Sequence, residues 1–262
     1  MLELRRTHTG RIQVIGHRGA MGHIAENTFP SFELGLSQGA DILELDIHLS
    51  RDGEVVVIHD ATLDRTTDGH GYIRDHTLAE LKHLDAGGKH KAAGARIPTL
   101  AEVLEWARDR AALAIEIKAA HVRYPGIEAK MLDLLARFGM TEHVVVISFD
   151  HVSLHEVKRL EPNVAVGPLY LARPADSAGL MRATNAEVMR PQYAYVTEAE
   201  VSVARENDWA IAPWGATERP MWEYLWGLGV DAISANHPDR LVAALADFEI
   251  GTRVHTAGEM DR

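Results

Sequence analysis

Residues 41–60, DILELDIHLSRDGEVVVIHD, decide the fold, because they place two β-rich arms around an Asp52-Gly53 turn signal. Asp-Gly between runs of Val, Ile and Leu is a hairpin signature. Pairing Arg51 with Glu54 sets a register in which 50 meets 55, 49 meets 56 and Asp46 meets His59. The run 54–59 is then a return arm of the run 41–49. His59 shares a face with Asp46 and, two residues along, with Glu44.

Outward from this hairpin, short apolar runs alternate with longer amphipathic stretches. The strand candidates are 12–17, 41–49, 54–59, 112–118, 143–148, 164–170, 187–192, 209–214 and 231–235. With 54–59 folded back on its neighbour, eight runs remain for a parallel sheet of β-α units. The expected fold class is α/β, a TIM (β/α)8 barrel with a rim insertion after the second strand's hairpin, forming one catalytic domain over 1–262. Helices are expected at 99–110, 126–139, 151–160, 197–207, 217–228 and 239–247, with Thr99, Asp150 and Thr197 as N-caps. Residues 60–98 exceed every other connection in length and in Gly, His and charge, and read as the insertion. The polar stretch 251–262 reads as a loose tail.

Composition excludes several functions. The net charge of -11, without basic runs or a basic amphipathic helix, argues against nucleic acid or an anionic membrane surface as partner. Cysteine is absent, so disulfides and thiolate metal sites are excluded. No apolar run approaches about 18 residues, so no integral membrane association is expected. Without a signal-peptide pattern before the first strand, a cytoplasmic protein is the expectation. The sequence leaves open whether the chain forms a homo-oligomer.

Barrel chemistry gathers where strands end on the C-terminal face. In ILELDIH, Leu43, Leu45 and Ile47 share one parity and suit the helix layer, leaving Glu44 and Asp46 pointing inward. In LAIEIK the same logic turns Glu116 and Lys118 inward. Crowded carboxylates repel unless a cation intervenes, and an all-oxygen set of Glu44, Asp46 and Glu116 suits one divalent cation, Ca²⁺ or Mg²⁺. His17 ends the first strand and His59 the hairpin arm, so both are candidates for acid-base work at the mouth. Arg18 adds a forked cation, and Gly19 permits close backbone approach. Two histidines, an arginine, a lysine and a metal in so acidic a chain point to an anionic, phosphoryl-bearing ligand.

His17-Arg18-Gly19, Glu26-Asn27-Thr28, Glu44-x-Asp46, Asp52-Gly53, His59-Asp60, Glu116-x-Lys118 and Ser148-Phe149 occur in the order of one known family. The chain resembles the glycerophosphodiester phosphodiesterase family over roughly residues 11–245. The resemblance implies hydrolysis of a small-molecule glycerophosphodiester, such as glycerophosphocholine or glycerophosphoethanolamine, to glycerol 3-phosphate and an alcohol. It implies metal ligation by Glu44, Asp46 and Glu116, with Glu26 a ligand or a support, and catalysis by His17 and His59. Arg18, Glu26, Asn27, Lys118, Phe149 and Trp214 are then the substrate-binding candidates, Trp214 as an apolar wall or as core packing. A cyclic phosphate intermediate is implied, with direct attack by water the other route.

The chain departs from the family pattern at Ala25, at Gly215-Ala216-Thr217 after Trp214, at Asn236 and in the distinctive Arg190. Alternatives are a lysophospholipase D-type enzyme on lipid-tailed substrates, or a non-catalytic phosphate-ester-binding barrel. A metal-dependent amidohydrolase would ask for His-x-His, which the chain lacks.

Overall fold

The structure, a computed structural model, describes residues 2–88, 94–119 and 121–259, with 249–259 as backbone only. Every strand candidate falls on an observed strand. In chain order these are β1 (Gln13–Gly16), β2 (Ile42–Leu49), β3 (Val55–Val57), β4 (Ala112–Ile117), β5 (Val144–Ser148), β6 (Ala165–Tyr170), β7 (Val188–Pro191), β8 (Ala210–Ile211) and β9 (Ala232–Ala235). All but β3 run parallel, in the order β8-β7-β6-β5-β4-β2-β1-β9. Between the two ends of this path, Asp231 N–H donates to the Ile211 carbonyl at 2.9 Å and its carboxylate accepts from Ile211 N–H at 2.8 Å. The eight strands thereby form a nearly closed barrel with helices between them.

Leu43, Leu45, Ile47 and Leu49 pack outward into the helix layer, as their parity requires, together with Val55 and Val57 of β3. The six expected helices form. Thr99, Asp150 and Thr197 cap theirs by accepting from the backbone N–H of Glu102, Val152 and Glu200. Two barrel helices went unread, Phe29–Ser37 and Ser177–Thr184. The first carries Pro30 in its opening turn and Gly35 mid-helix, which weaken the propensity signal. The last helix, Pro238–Glu259, carries its backbone through most of the stretch expected to be a loose tail. Beyond Phe248 it meets two glycines, Gly251 and Gly258, each of which an established helix absorbs for about 1 kcal/mol.

The hairpin register differs from expectation by one residue. Ile47 pairs with Val57, and Ile58 N–H donates to the Asp46 carbonyl at 3.0 Å, so Ile58 rather than His59 stands across from Asp46. Gly53, at φ +81°, closes a three-residue loop over Arg51–Gly53 where a two-residue turn was expected. Val56 and Ile58 then join a separate small core with Leu63, Ile73, Leu81 and Ile97. The described part of the 60–98 insertion is thus packed on its own apolar centre beside the barrel mouth, with a helix at Leu78–His83.

Candidate active site

The inward carboxylates of β2 and β4 meet as their parity predicts. Asp46 and Glu116 are register partners, and one oxygen each from Glu44, Asp46 and Glu116 lie within 4.8 Å of one another. Glu44 is 2 % exposed and Asp46 fully buried. Lys118 Nζ reaches Glu116 at 2.6 Å and Asp46 at 2.9 Å. Against the burial that would raise it, Lys118 and Arg18 hold Asp46 well below the usual carboxylate range. Glu44 is left with the deficit: burial and the Asp46 charge push it up to about 8. Burial also lifts Glu116 to about 7, against the pull of Lys118.

Two cations nearby therefore do not neutralise the cluster. Three buried oxygen donors still short of positive charge fit a hard divalent cation, the group that a set of this composition holds.

His17 follows β1 at the mouth, its Nδ1 2.7 Å from Asn236 Oδ1 and its Nε2 3.8 Å from Glu44. An amide oxygen only accepts, so Nδ1 carries the proton and Nε2 presents a lone pair to the site. Burial and Arg18 hold this imidazole well below its ordinary value, at about 4. His59 lies beyond the end of β3. Its Nδ1 meets Asp60 Oδ1 at 2.6 Å, leaving Nε2 to the cavity.

Arg18 sits in the left-handed region at φ +49°, its backbone N–H donating to Glu44 at 2.9 Å. The guanidinium is committed to Glu26 at 2.8 Å and Asp46 at 3.3 Å. Gly19, at φ +83°, has no room for a Cβ, which would fall 2.5 Å from Ser31. Glu26 and Asn27, expected among the substrate-binding residues, face other side chains instead of the main cavities. Asn27 Nδ2 donates to Asp46 at 2.7 Å from a buried position. Glu26 takes Arg18 on one side and both terminal nitrogens of Arg65, at 2.8 Å each, on the other. Arg65 continues to Asp60 at 2.6 Å, so the insertion is tied through Glu26 and Asp60 to the loop that carries His59.

Two cavities open on the cluster. The inner one, about 220 Å³, is bordered by His17, His59, Glu44, Glu116, Lys118 and the Phe149-Trp214 pair, whose rings meet edge to face at 5.3 Å. The outer one, about 640 Å³, shares His59, Lys118 and Phe149 and extends along the insertion past Tyr72. Phe149 is half exposed between them, and Trp214 donates from Nε1 to the Arg190 carbonyl at 3.1 Å.

Sequence reasoning missed His48, although it has the inward parity of Glu44 and Asp46. Its Nε2 meets the His59 carbonyl at 3.0 Å and its Nδ1 the Tyr124 hydroxyl at 2.9 Å. The link from Arg65 to Glu26 carries no local signal, since the two are 39 residues apart.

The sequence profile of the glycerophosphoryl diester phosphodiesterase family matches residues 17–240. A glycerophosphodiester phosphodiesterase of Caldanaerobacter subterraneus subsp. tengcongensis is 39% identical over 232 residues, covering 87% of this chain and 96% of that protein. One from Bacillus subtilis is 33% identical over 249 residues, covering 87% and 85%. Among solved structures, an Oleispira antarctica phosphodiesterase in complex with the product sn-glycerol-3-phosphate superposes with a TM-score of 0.81 at 28% identity, covering 91% of this chain and 98% of the other. A putative glycerophosphoryl diester phosphodiesterase from Silicibacter pomeroyi gives 0.82 at 25% identity, covering 90% and 94%.

Proposed function

The chain belongs to the glycerophosphoryl diester phosphodiesterase family, a family of enzymes, and from that premise we propose how its own residues act on a glycerophosphodiester. The observation that carries the reading is a cluster of three buried carboxylates, two of which, Glu44 and Glu116, border one cavity of about 220 Å³ together with two differently supported histidines. The products are sn-glycerol 3-phosphate and an alcohol, as for the Oleispira protein's named product.

Glu44, Asp46 and Glu116 would hold one divalent cation, Mg²⁺ or Ca²⁺. When bound, it supplies Lewis-acid stabilisation of charge on a phosphoryl oxygen. His17, neutral and fixed by Asn236, takes the proton of the glycerol 2-hydroxyl, whose oxygen attacks phosphorus. His59, held below its ordinary value by burial while the Asp46 and Asp60 carboxylates favour its imidazolium form, gives its proton to the departing alkoxide as the phosphorus-oxygen bond to the head group breaks. A cyclic phosphate and the free alcohol result. In the second half His59, now neutral, takes a proton from water as that water attacks phosphorus. His17 returns its proton to the ring oxygen that leaves. Phe149 and Trp214 provide the apolar wall against which the carbon chain lies.

The reading is tested by incubating the purified protein with glycerophosphocholine and glycerophosphoethanolamine, after EDTA and after restoring Mg²⁺ or Ca²⁺, and measuring glycerol 3-phosphate. Metal-restored product is expected. Turnover of a lysophospholipid in place of either diester would move the substrate class, and no turnover of any diester by the metal-loaded protein would overturn the reading.

A further inference from the structure

Three cationic side chains border the inner cavity, and two already have carboxylate partners: Arg18 with Glu26 and Asp46, Lys118 with Glu116 and Asp46. The third, Arg190 at the end of β7, does not. It is 2 % exposed, makes no ion pair among the described residues, and has one long hydrogen bond, from Nη2 to Ser234 Oγ at 3.4 Å. Its Nε has no partner at all. Burial lowers the guanidinium to about 10, against the distant pull of Glu44 and Glu116.

An arginine left in this condition is costly, because a desolvated charge is kept only where something compensates it. The fold nevertheless makes room for it. Gly167, on the neighbouring strand β6, is a residue whose Cβ would stand 2.8 Å from Arg190 Cγ and 2.9 Å from the Val188 carbonyl. A larger residue there would displace the Arg190 stem. Trp214 donates from Nε1 to the Arg190 carbonyl. The position is thus built around a buried cation that lacks an anion and borders the cavity holding the two histidines.

We propose that Arg190 is the phosphoryl anchor of this site, donating from its free guanidinium N–H groups to the oxygens of the bound phosphodiester and of the phosphomonoester product. This rests on the phosphodiester reading above and assigns within it a residue that neither the carboxylate cluster nor the histidine pair includes. The charge logic is specific. A divalent cation held by Glu44, Asp46 and Glu116 would bring positive charge to the same cavity, so the loaded site needs an anion more than the empty one. The forked guanidinium suits phosphoryl oxygens, and no other cation on this cavity has its donors free of carboxylates.

The test compares wild type, Arg190→Lys and Arg190→Met, each loaded with Mg²⁺, by calorimetric titration with sn-glycerol 3-phosphate and with inorganic phosphate, alongside thermal melts without ligand. Arg190→Met should weaken both ligands by roughly 10- to 100-fold, the worth of a hydrogen-bonded charge, with Arg190→Lys between it and wild type. The Met variant should melt at or above the wild-type temperature without ligand, because it removes a buried unpaired charge. In turnover, KM should rise more than kcat falls. Native-like Arg190→Met protein that binds both ligands within about twofold of wild type would overturn the assignment, as would loss of its fold together with normal binding by Arg190→Lys. A wild-type protein that turns over no diester would instead count against the function reading, so the two failures are distinguishable.

Discussion

His48 donates from Nε2 to the backbone carbonyl of His59 across 3.0 Å, fixing the chain at the point where β3 has ended and the proposed acid begins. The ring is 2 % exposed, and burial holds it well below its ordinary value, at about 4. It is therefore neutral at working pH, accepting at Nδ1 from the Tyr124 hydroxyl. His48 touches the reaction only through His59, as a positioning residue.

His48→Ala leaves the His59 carbonyl and the Tyr124 hydroxyl without this partner and frees the loop to shift. We expect kcat to fall by roughly 10- to 100-fold with KM near wild type, the penalty of a displaced catalytic group. His48→Gln, which can still donate an N–H to the carbonyl, should recover part of the loss. Steady-state kinetics with circular dichroism as the fold control checks this, and an unchanged kcat in His48→Ala would remove the positioning role.

The two histidines themselves should behave asymmetrically toward their partners. His17→Ala and His59→Ala should each lower kcat by roughly 10²- to 10⁴-fold without unfolding the barrel, since both rings stand at the mouth and not in the apolar layer. Asp60→Asn keeps the shape beside His59 but removes the charge that stabilises its imidazolium, and should cost roughly 10- to 100-fold. Near-normal turnover in any of the three would break the acid-base assignment.

These residues also show what the amino-acid order could convey. Strand parity alone turned Glu44, Asp46 and Glu116 inward, because a half-apolar strand admits one orientation of its polar residues. The register of the 41–60 hairpin slipped by one because Gly53 takes a left-handed conformation and lengthens the loop, which Asp-Gly by itself does not announce. That slip ought to send His59 to the wrong face. It does not, since the strand stops at Val57 and His48 holds the next segment. Asn27 and Glu26 are ambiguous in the sequence for another reason. A polar side chain that serves another side chain of the site, as Asn27 serves the Asp46 carboxylate and Glu26 the Arg18 guanidinium, has the same sequence signature as one that serves a substrate.

The carboxylate cluster should bind its cation with proton release. Metal-free Glu44 and Glu116 lie at about 8 and about 7, so near pH 7 Glu44 is largely protonated and must give up its proton to a cation. Calorimetric titration with Mg²⁺ or Ca²⁺ in buffers of different ionisation enthalpy should show this release near pH 7 and its disappearance above about pH 9. Glu44→Ala and Asp46→Ala should abolish tight divalent binding, and unchanged affinity in either would move the cation elsewhere.

The same shifts make the stability of the chelated protein fall as pH rises. A carboxyl whose folded value is raised binds its proton more tightly in the native than in the unfolded chain. Its contribution is complete below the ordinary value of 4.5 and is lost as pH climbs through about 7 for Glu116 and about 8 for Glu44. His17 and His48 act oppositely but lower down: their depressed values make stability fall only as pH drops from 6.5 toward about 4. Between about pH 7 and pH 9 the carboxyls therefore dominate, at up to about 1.4 kcal/mol per pH unit for each proton held by the folded state alone. In EDTA the melting temperature should decline across that window, while saturating divalent cation should flatten the decline by replacing the lost protons with metal charge. A chelated protein whose melting temperature is constant or rises from pH 7 to 9 would show that Lys118 and Arg18 neutralise the cluster without a metal, removing the electrostatic reason for a cation there.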